Sequence, residues 1–145
     1  MSIETAVYEF IQNAVDRSAP AAAISGAIVH ADAYQEISGG TKWIRTGDVI
    51  QSTPAGPVKE QNALLEIQFV ARPDTQTLIN RRIARDLANR MALEIYVLIS
   101  DNERMGTTNG EICNVGKIIK RNEWVKVGTV RHAASFLRLQ INPQS

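Results

Sequence analysis

The sequence has 145 residues, of which 44% are hydrophobic and 21% are charged, and its formal net charge is +1. This length predicts a single domain, 1–145, and the composition is that of a globular protein, which excludes a disordered tail or a fibre. The balance of acidic and basic side chains argues against a general nucleic-acid binder. The single cysteine, Cys113, excludes an internal disulfide and a cysteine-rich zinc site.

Neither the N-terminal residues nor the apolar segments predict a targeting or membrane element. The first residues have no basic segment followed by a continuous apolar run, so we expect no secretory signal. The longest apolar concentration, residues 91–99, is far shorter than the roughly 20 residues of a membrane span. We therefore expect no membrane partner and assembly in a cytoplasm.

The N-terminal third predicts a helix, a short strand and a long extended segment. Apolar residues recur at three- and four-residue steps over 3–17, which predicts a helix, and residues 26–31 read as a strand. Residues 32–62 are weakly apolar, with strand-like pieces on both sides of a turn at 46–48. Prolines at 54 and 57 argue against a central strand there. We interpret 32–62 as an extended β-hairpin arm.

The middle of the chain predicts one strand and one long helix. Strict alternation over 63–71 indicates a strand with one apolar face. A helix is predicted from Asp74 or Thr75 to residue 101, since no glycine or proline interrupts it. In a helix, residues 91–99 would be apolar on nearly every side. Either another subunit covers the face that this domain leaves uncovered, the spare helix face, or residues 95–100 form a strand. We favour the helix.

Three strands are predicted in the C-terminal third, at 111–119, 124–132 and 134–142, with a turn near 120–123 between the first two. The element order predicts an α+β fold. We expect a mostly antiparallel sheet with a short N-terminal helix and one long helix on one face, plus the long β-hairpin arm.

No motif of a known reaction is present. The sequence lacks a phosphate-binding loop, a nucleophile elbow and an HExxH zinc motif. His30 and Asp32 could form a base with its orienting carboxylate, or a ligand pair, but a histidine beside a turn aspartate is more often structural. Cys113 with a histidine could be a nucleophile pair, yet its predicted strand position suits a buried small hydrophobe. His132 is a weaker candidate still. We predict no catalytic, metal or cofactor site.

Two features point to contacts with other molecules. The long helix carries a basic face of Arg81, Arg82, Arg85 and Arg90, which could be solvated, could pair with carboxylates of a neighbouring subunit, or could contact DNA phosphates. The tryptophans at 43 and 124 could anchor an interface or form a local core.

The layout resembles one protein family. A short N-terminal helix, a strand and a long hairpin arm are followed by NALLEIQFVARP at 62–73, by a long helix that ends in LISDNERMG at 98–106, and by a group of strands that closes with AASFLRLQIN at 133–142. In length, element order and closing pattern the chain resembles the tail terminator (tail completion) proteins of long-tailed bacteriophages.

This resemblance implies a structural virion protein with no catalytic centre, cofactor or metal. Such a protein forms a ring, hexameric in the family, that caps the head-proximal end of the tail tube, stops its polymerisation and docks to the neck or connector. The implied partners are its own copies, the tail tube protein, the neck and possibly the sheath, with DNA only as the genome passing through the lumen. The alternatives are a neck or head-completion protein of the same joint, or a small enzyme using His30 and Asp32.

A ring of this kind uses one patch against a different patch of the neighbouring copy, and a protruding arm can extend a neighbour's sheet. We expect interface residues in the arm, on the spare helix face and on the basic helix face: Trp43, Arg45, Val49, Leu93, Tyr96, Val97, Arg82 and Arg85.

Overall fold

The structure is a computed structural model, and it describes residues 3–31, 39–54, 61–102, 104–106, 112–127 and 130–144. In chain order these residues form α1 (Ile3–Asp16), β1 (Ile28–His30), β2 (Lys42–Pro54), β3 (Gln61–Ala71), α2 (Leu78–Asn102), β4 (Arg104–Gly106), β5 (Ile112–Val127) and β6 (Val130–Gln144).

The strands of the described residues form one mixed sheet, in the order β1-β2-β3-β6-β5-β4. β1 pairs with β2 in parallel, and the other pairs are antiparallel. Both helices contribute to one core on the same face, where α1 packs mainly on β2 and α2 packs mainly on β6 and β3. The predicted α+β class is therefore confirmed, with a mostly antiparallel sheet and helices on one face.

The core lies between the helices and alternate residues of the central strands. In β3, Leu65, Ile67, Phe69 and Ala71 point into it, which is the alternation that the sequence predicted. The helices supply the other side of this core, with Ala6, Val7, Ile11, Ala84, Ala88, Met91, Ala92, Ile95 and Ile99.

α2 begins a few residues later than the periodicity predicted and is helical to its end. The hydroxyl of Thr77 accepts a hydrogen bond from the backbone N–H of Asn80 at 3.3 Å, so Thr77 caps the helix. The helix then continues to Asn102, so the alternative strand over 95–100 is wrong. Asn89 accepts a hydrogen bond from the Ser135 hydroxyl of β6, which connects the helix to the sheet.

β2 is continuous where the sequence predicted a turn at 46–48. From Thr46 to Val49 the chain advances three residues, while its partner strand advances only two, from Ile67 to Leu65. The extra residue is a β-bulge, which bends a strand without ending it.

The long hairpin arm over 32–62 is not confirmed as a separate unit. Its part from Lys42 to Pro54 is β2, which pairs with β3 as a member of the sheet. Residues 32–38 and 55–60 lie outside the described residues.

β5 corrects a second predicted turn. The polar residues at 120–123 were expected to separate two strands, but β5 runs without interruption from Ile112 to Val127 and pairs with β6 along its length. Arg121, in the middle of the polar run, is registered opposite Phe136. Backbone pairing with a neighbouring strand does not require apolar side chains, so a polar run need not be a turn.

A smaller cluster lies on the face of the sheet away from the helices. It contains Trp43, Val70, Ala134 and Phe136, all buried. Trp43 is registered opposite Val70, and Val70 opposite Ala134, so these side chains share one face. The ring of His132 lies beside them, with its centroid 5.7 Å from that of Trp43.

Candidate assembly surfaces

Exposed apolar side chains form two groups at the two ends of α2. The N-terminal patch lies in the first two turns and contains Leu78, Ile79 and Ile83, which are 57%, 71% and 61% exposed. The C-terminal patch contains four side chains between 37% and 51% exposed: Leu93, Tyr96, Val97 and Leu98.

Helix geometry places these patches opposite the core. Ile79 and Val97 are separated by about five turns, or about 27 Å, and therefore lie on one line along the helix. The buried Ile95 and Ile99 lie on the opposite side of the same helix. No rotation of α2 about its axis can bury both sets against one sheet. The patches are exposed because α2 has more apolar faces than its own chain can cover.

The middle of the outer face is charged. Arg90 and Asp86 form an ion pair of 3.7 Å, and both side chains are exposed. Such a pair contributes little stability. Because these charged side chains lie between the two patches, the patches are separate surfaces with different neighbours and not one continuous apolar stripe.

A groove of about 760 Å³ lies beside the C-terminal patch, between α1 and α2. Phe10 and Ala14 line it from α1, and Leu93, Val97 and Leu98 line it from α2. The C-terminal patch is thus one wall of a concave, mainly apolar surface. The side chains of the N-terminal patch are more exposed and extend further into solvent.

Glu94 ties the loop after α1 to α2 at this groove. Its carboxylate accepts hydrogen bonds from the backbone N–H groups of Ala23 at 2.8 Å and Ile24 at 3.0 Å. The Lys42 ammonium donates to the Ala23 carbonyl at 2.8 Å. Burial lowers the pKa of Lys42, and the negative charge of Glu94 opposes that shift. These contacts fix one wall of the groove relative to the other.

A second pocket, of about 340 Å³, is basic. It is lined by Leu78, Arg81, Arg82, Arg85 and Arg131, and we call it the arginine pocket. Within the described part of the chain, none of these four arginines forms an ion pair. The pocket shares Leu78 with the N-terminal patch, so it borders that patch directly.

Two buried histidines lie near the sheet face away from the helices. Burial lowers the pKa of His30, and the positive charge of Arg45 lowers it further. Burial also lowers the pKa of His132, and a hydrogen bond to the backbone carbonyl of Val130 partly opposes this shift. Both rings are therefore neutral near pH 7.

The comparisons with known proteins establish the fold alone. No protein-family model matches this sequence, and no curated protein matches it either. One protein of solved structure is similar over 99% of this chain and 94% of its own, with a TM-score of 0.57 and 15% identity. At that identity the similarity concerns the fold and not the activity.

Several predicted interface residues lie together on the structure. Leu93, Tyr96 and Val97 belong to the C-terminal patch, and Arg82 and Arg85 both line the arginine pocket. Their presence in an interface stays a prediction.

The residues predicted on the arm are placed differently. Trp43 is only 2% exposed and packs within its own chain, so it is not part of an exposed surface. Arg45 is partly buried on β2, next to His30 in the register of the sheet. The side chains of Val49 and Trp124 lie outside the described residues.

Of the residues of the enzyme alternative, the structure describes the side chains of His30 and His132. His30 is buried at the end of β1, while Asp32 and the side chain of Cys113 lie outside the described residues. Across the described ranges, no group of three or more His, Cys, Asp or Glu side chains could hold a metal ion. In that same part of the chain, no helix has the length and apolarity needed to cross a membrane.

Sequence reasoning missed the N-terminal patch and Arg131. Leu78, Ile79 and Ile83 are apolar positions of the predicted helix, but the alanines at 84, 88 and 92 face the core and these three side chains are exposed. Small residues recurring every four positions were the available signal, because they allow a helix to approach a sheet closely. Nothing in the sequence could have placed Arg131 beside Arg82, since they lie 49 positions apart.

Proposed function

We propose that this chain is a structural tail terminator: a ring that caps the head-proximal end of a phage tail tube, stops its polymerisation and docks to the neck. The observation that carries the proposal is the pair of separate apolar patches on the outer face of α2. The element order that resembles the family supplies the biological setting. The ring requires that identical copies of this chain bind one another.

Two different patches allow a head-to-tail contact between copies. A head-to-tail contact joins one patch to a different patch, and it closes into a ring when the rotation permits. A two-fold dimer would instead pair the two patches reciprocally, or use one self-complementary patch. Here the exposed side chains of the N-terminal patch have a concave counterpart, the apolar groove beside the C-terminal patch. Contact between the two would remove both from water, which is favourable for apolar surface.

The first test is the assembly state of the purified protein. We expect size-exclusion chromatography with light scattering to give one closed oligomer, and negative-stain electron microscopy to give rings. Ile79→Asp and Val97→Asp should each yield monomers, because each destroys one of the two surfaces that every contact needs. Arg90→Gln is the matched control, since it changes the charge by the same amount on the same helix face outside both patches.

Mixing the two variants distinguishes a contact between the two patches from a two-fold contact through one patch. An equal mixture of Ile79→Asp and Val97→Asp retains one intact pair of patches, so it should form heterodimers and stop there. A two-fold contact through one patch would instead leave one variant dimeric by itself. That result, or a wild-type protein that stays monomeric or stops at a dimer, would overturn the ring.

The second test addresses the tail. Tubes assembled from the tail tube protein of the same genome should bind the ring at one end only, as seen by electron microscopy, and should stop growing there. The monomeric Ile79→Asp variant should bind weakly and leave growth unchanged. Rings that bind the head-side connector but never a tube end would favour a neck or head-completion protein.

A further inference from the structure

The first two turns of α2 carry positive charge that their own helix does not balance. Arg85 follows Arg82 by three residues and Arg81 by four, so it lies next to both on the helix surface. α2 has no acidic side chain in its first turn, where the positive end of the helix dipole lies. Its first carboxylate in chain order, Asp86, pairs with Arg90. Like charges at this spacing destabilise a helix, so a negative charge from outside α2 is favourable here.

The arginine pocket adds a fourth guanidinium from another part of the fold. Arg131 belongs to β6, and it lines the pocket together with Leu78 and the three arginines of α2. Four guanidinium groups therefore border one concavity of about 340 Å³, held on a helix and a strand that pack on each other. A solvated helix face needs neither a concave shape nor a contribution from a second element.

One donor of this set is buried. The Nε atom of Arg81 has no hydrogen-bond partner among the described residues. A buried donor without an acceptor is unfavourable and calls for an explanation. The guanidinium group is a planar fork whose N–H groups match the oxygens of a phosphate in pairs. An oxyanion bound at this guanidinium would supply both an acceptor and a negative charge.

We propose that the arginine pocket is a binding site for a small phosphate anion, either free orthophosphate or the terminal phosphate of a small metabolite. The site lies within one copy of the chain and does not depend on the proposed ring. A phosphate group carries about 1.5 to 2 negative charges near pH 7 and has three strong acceptor oxygens. It can therefore accept hydrogen bonds from several arginines at once and balance more of their charge than one carboxylate can.

A nucleic acid is the competing source of phosphate. Sequence-independent binding to a duplex depends on contacts to successive phosphates of the backbone. Here the arginines line one pocket, the pocket borders the apolar N-terminal patch, and the net charge of the chain is only +1. These features favour a single small anion over a polyanion.

Calorimetric titration with sodium orthophosphate tests the site, at an ionic strength held constant with sodium chloride. We expect the wild-type protein to bind one phosphate per chain. Arg81→Ala and Arg131→Ala should each raise the dissociation constant about tenfold or more, because each removes a charged hydrogen-bond donor. Arg90→Ala is the matched control, since it removes an arginine of the same helix outside the pocket and should leave the constant unchanged. Circular dichroism checks that each variant is folded.

A conservative variant separates a shaped site from general attraction of anions. Arg81→Lys retains the positive charge but loses Nε and the planar fork. We expect it to weaken phosphate binding several-fold, although the net charge of the chain is unchanged. Unaltered binding by Arg81→Lys would mean that the pocket attracts anions by charge alone, and would overturn the site.

Titration with adenosine monophosphate identifies the source of the group. Tighter binding than that of orthophosphate assigns the pocket to a phosphorylated metabolite, and weaker binding assigns it to the free ion. Either result supports the site.

The remaining outcomes separate the site from the ring. Val97→Asp, altered at the other end of α2, is titrated alongside the wild type so that assembly between copies cannot hide the pocket. If neither protein binds orthophosphate, the site is wrong and the ring stands. If the wild type binds orthophosphate but never self-associates, the ring is wrong and the site stands. Fluorescent duplex DNA that Arg81→Ala no longer binds, and that orthophosphate does not displace from the wild type, would assign the pocket to nucleic acid instead.

Discussion

The inner and outer faces of α2 carry the same kind of side chain with opposite fates. Ile95 and Ile99 are at most 1% exposed, whereas Ile79 and Ile83 are 71% and 61% exposed. All four are isoleucines in one helix, so neither residue type nor helix propensity explains the difference. The sheet covers only one side of the helix. A helix with more apolar side chains than one sheet can cover therefore keeps apolar surface outside the core of its own domain.

The inner face should dominate stability. Ile95→Ala removes a fully buried side chain from the core between α2 and the sheet, and we expect it to lower the free energy of unfolding by about 2–5 kcal/mol. Ile79→Ala, the matched change on the outer face, should stay within about 0.5 kcal/mol. Urea denaturation measures both, at a low protein concentration so that assembly does not contribute. Equal losses would mean that the outer face also packs within its own chain.

The polar contacts of α2 allow a second comparison of two side chains of the same helix, with smaller expected losses of stability. Glu94→Ala leaves the backbone N–H groups of Ala23 and Ile24 without their carboxylate, and we expect a loss of about 1.5–3 kcal/mol. Asp86→Ala removes a carboxylate of the same helix from an exposed ion pair, and should cost less than about 0.5 kcal/mol. If urea denaturation gave equal losses, Glu94 would not anchor the loop.

The comparison extends to the face of the sheet away from the helices, where a pH effect is expected. Burial holds the pKa of His30 and His132 below the ordinary value of 6.5, so the unfolded chain binds protons more readily than the folded chain. Stability should therefore fall as the pH is lowered from about 7.5 to about 5.5, and this loss begins near the pKa of the unfolded state.

Histidine variants provide the control for that pH effect. The double variant His30→Gln and His132→Gln should show a flatter dependence of the unfolding free energy over the same pH interval. The Ile79→Ala protein, altered on the outer face of α2, should retain the wild-type dependence. A wild-type stability that rises on acidification would contradict the neutral, buried state of these two rings.

The elements that the sequence predicted well are those defined by a local period. β3 alternates strictly, and Leu65, Ile67 and Phe69 all enter the core. α1 was predicted over 3–17 and ends at Asp16, because a one-sided stripe with a following proline leaves little choice. The exposed C-terminal patch was also anticipated, since residues 91–99 are apolar on more sides than one layer can bury.

Elements whose limits depend on pairing with another strand were predicted poorly. The polar run at 120–123 remained in β5 because β6 pairs with it, and the turn at 46–48 became a bulge because β3 continues alongside. Both choices depend on hydrogen bonds to the next strand of the chain, outside the local segment. A local pattern of polar residues and glycine cannot represent those bonds.

The sequence by itself determined that α2 is a long helix with more apolar surface than a small domain can cover, since both properties follow from residue order within one helix. Only the tertiary structure decided which side faces inward, because the alanines at 84, 88 and 92 allow the sheet to approach there and leave Ile79 and Ile83 in solvent. It also decided that Arg131 joins Arg82 and Arg85 in one pocket. The position of Arg131 in the pocket depends on where β6 begins relative to α2. Sheet topology sets this position through contacts that no local segment contains.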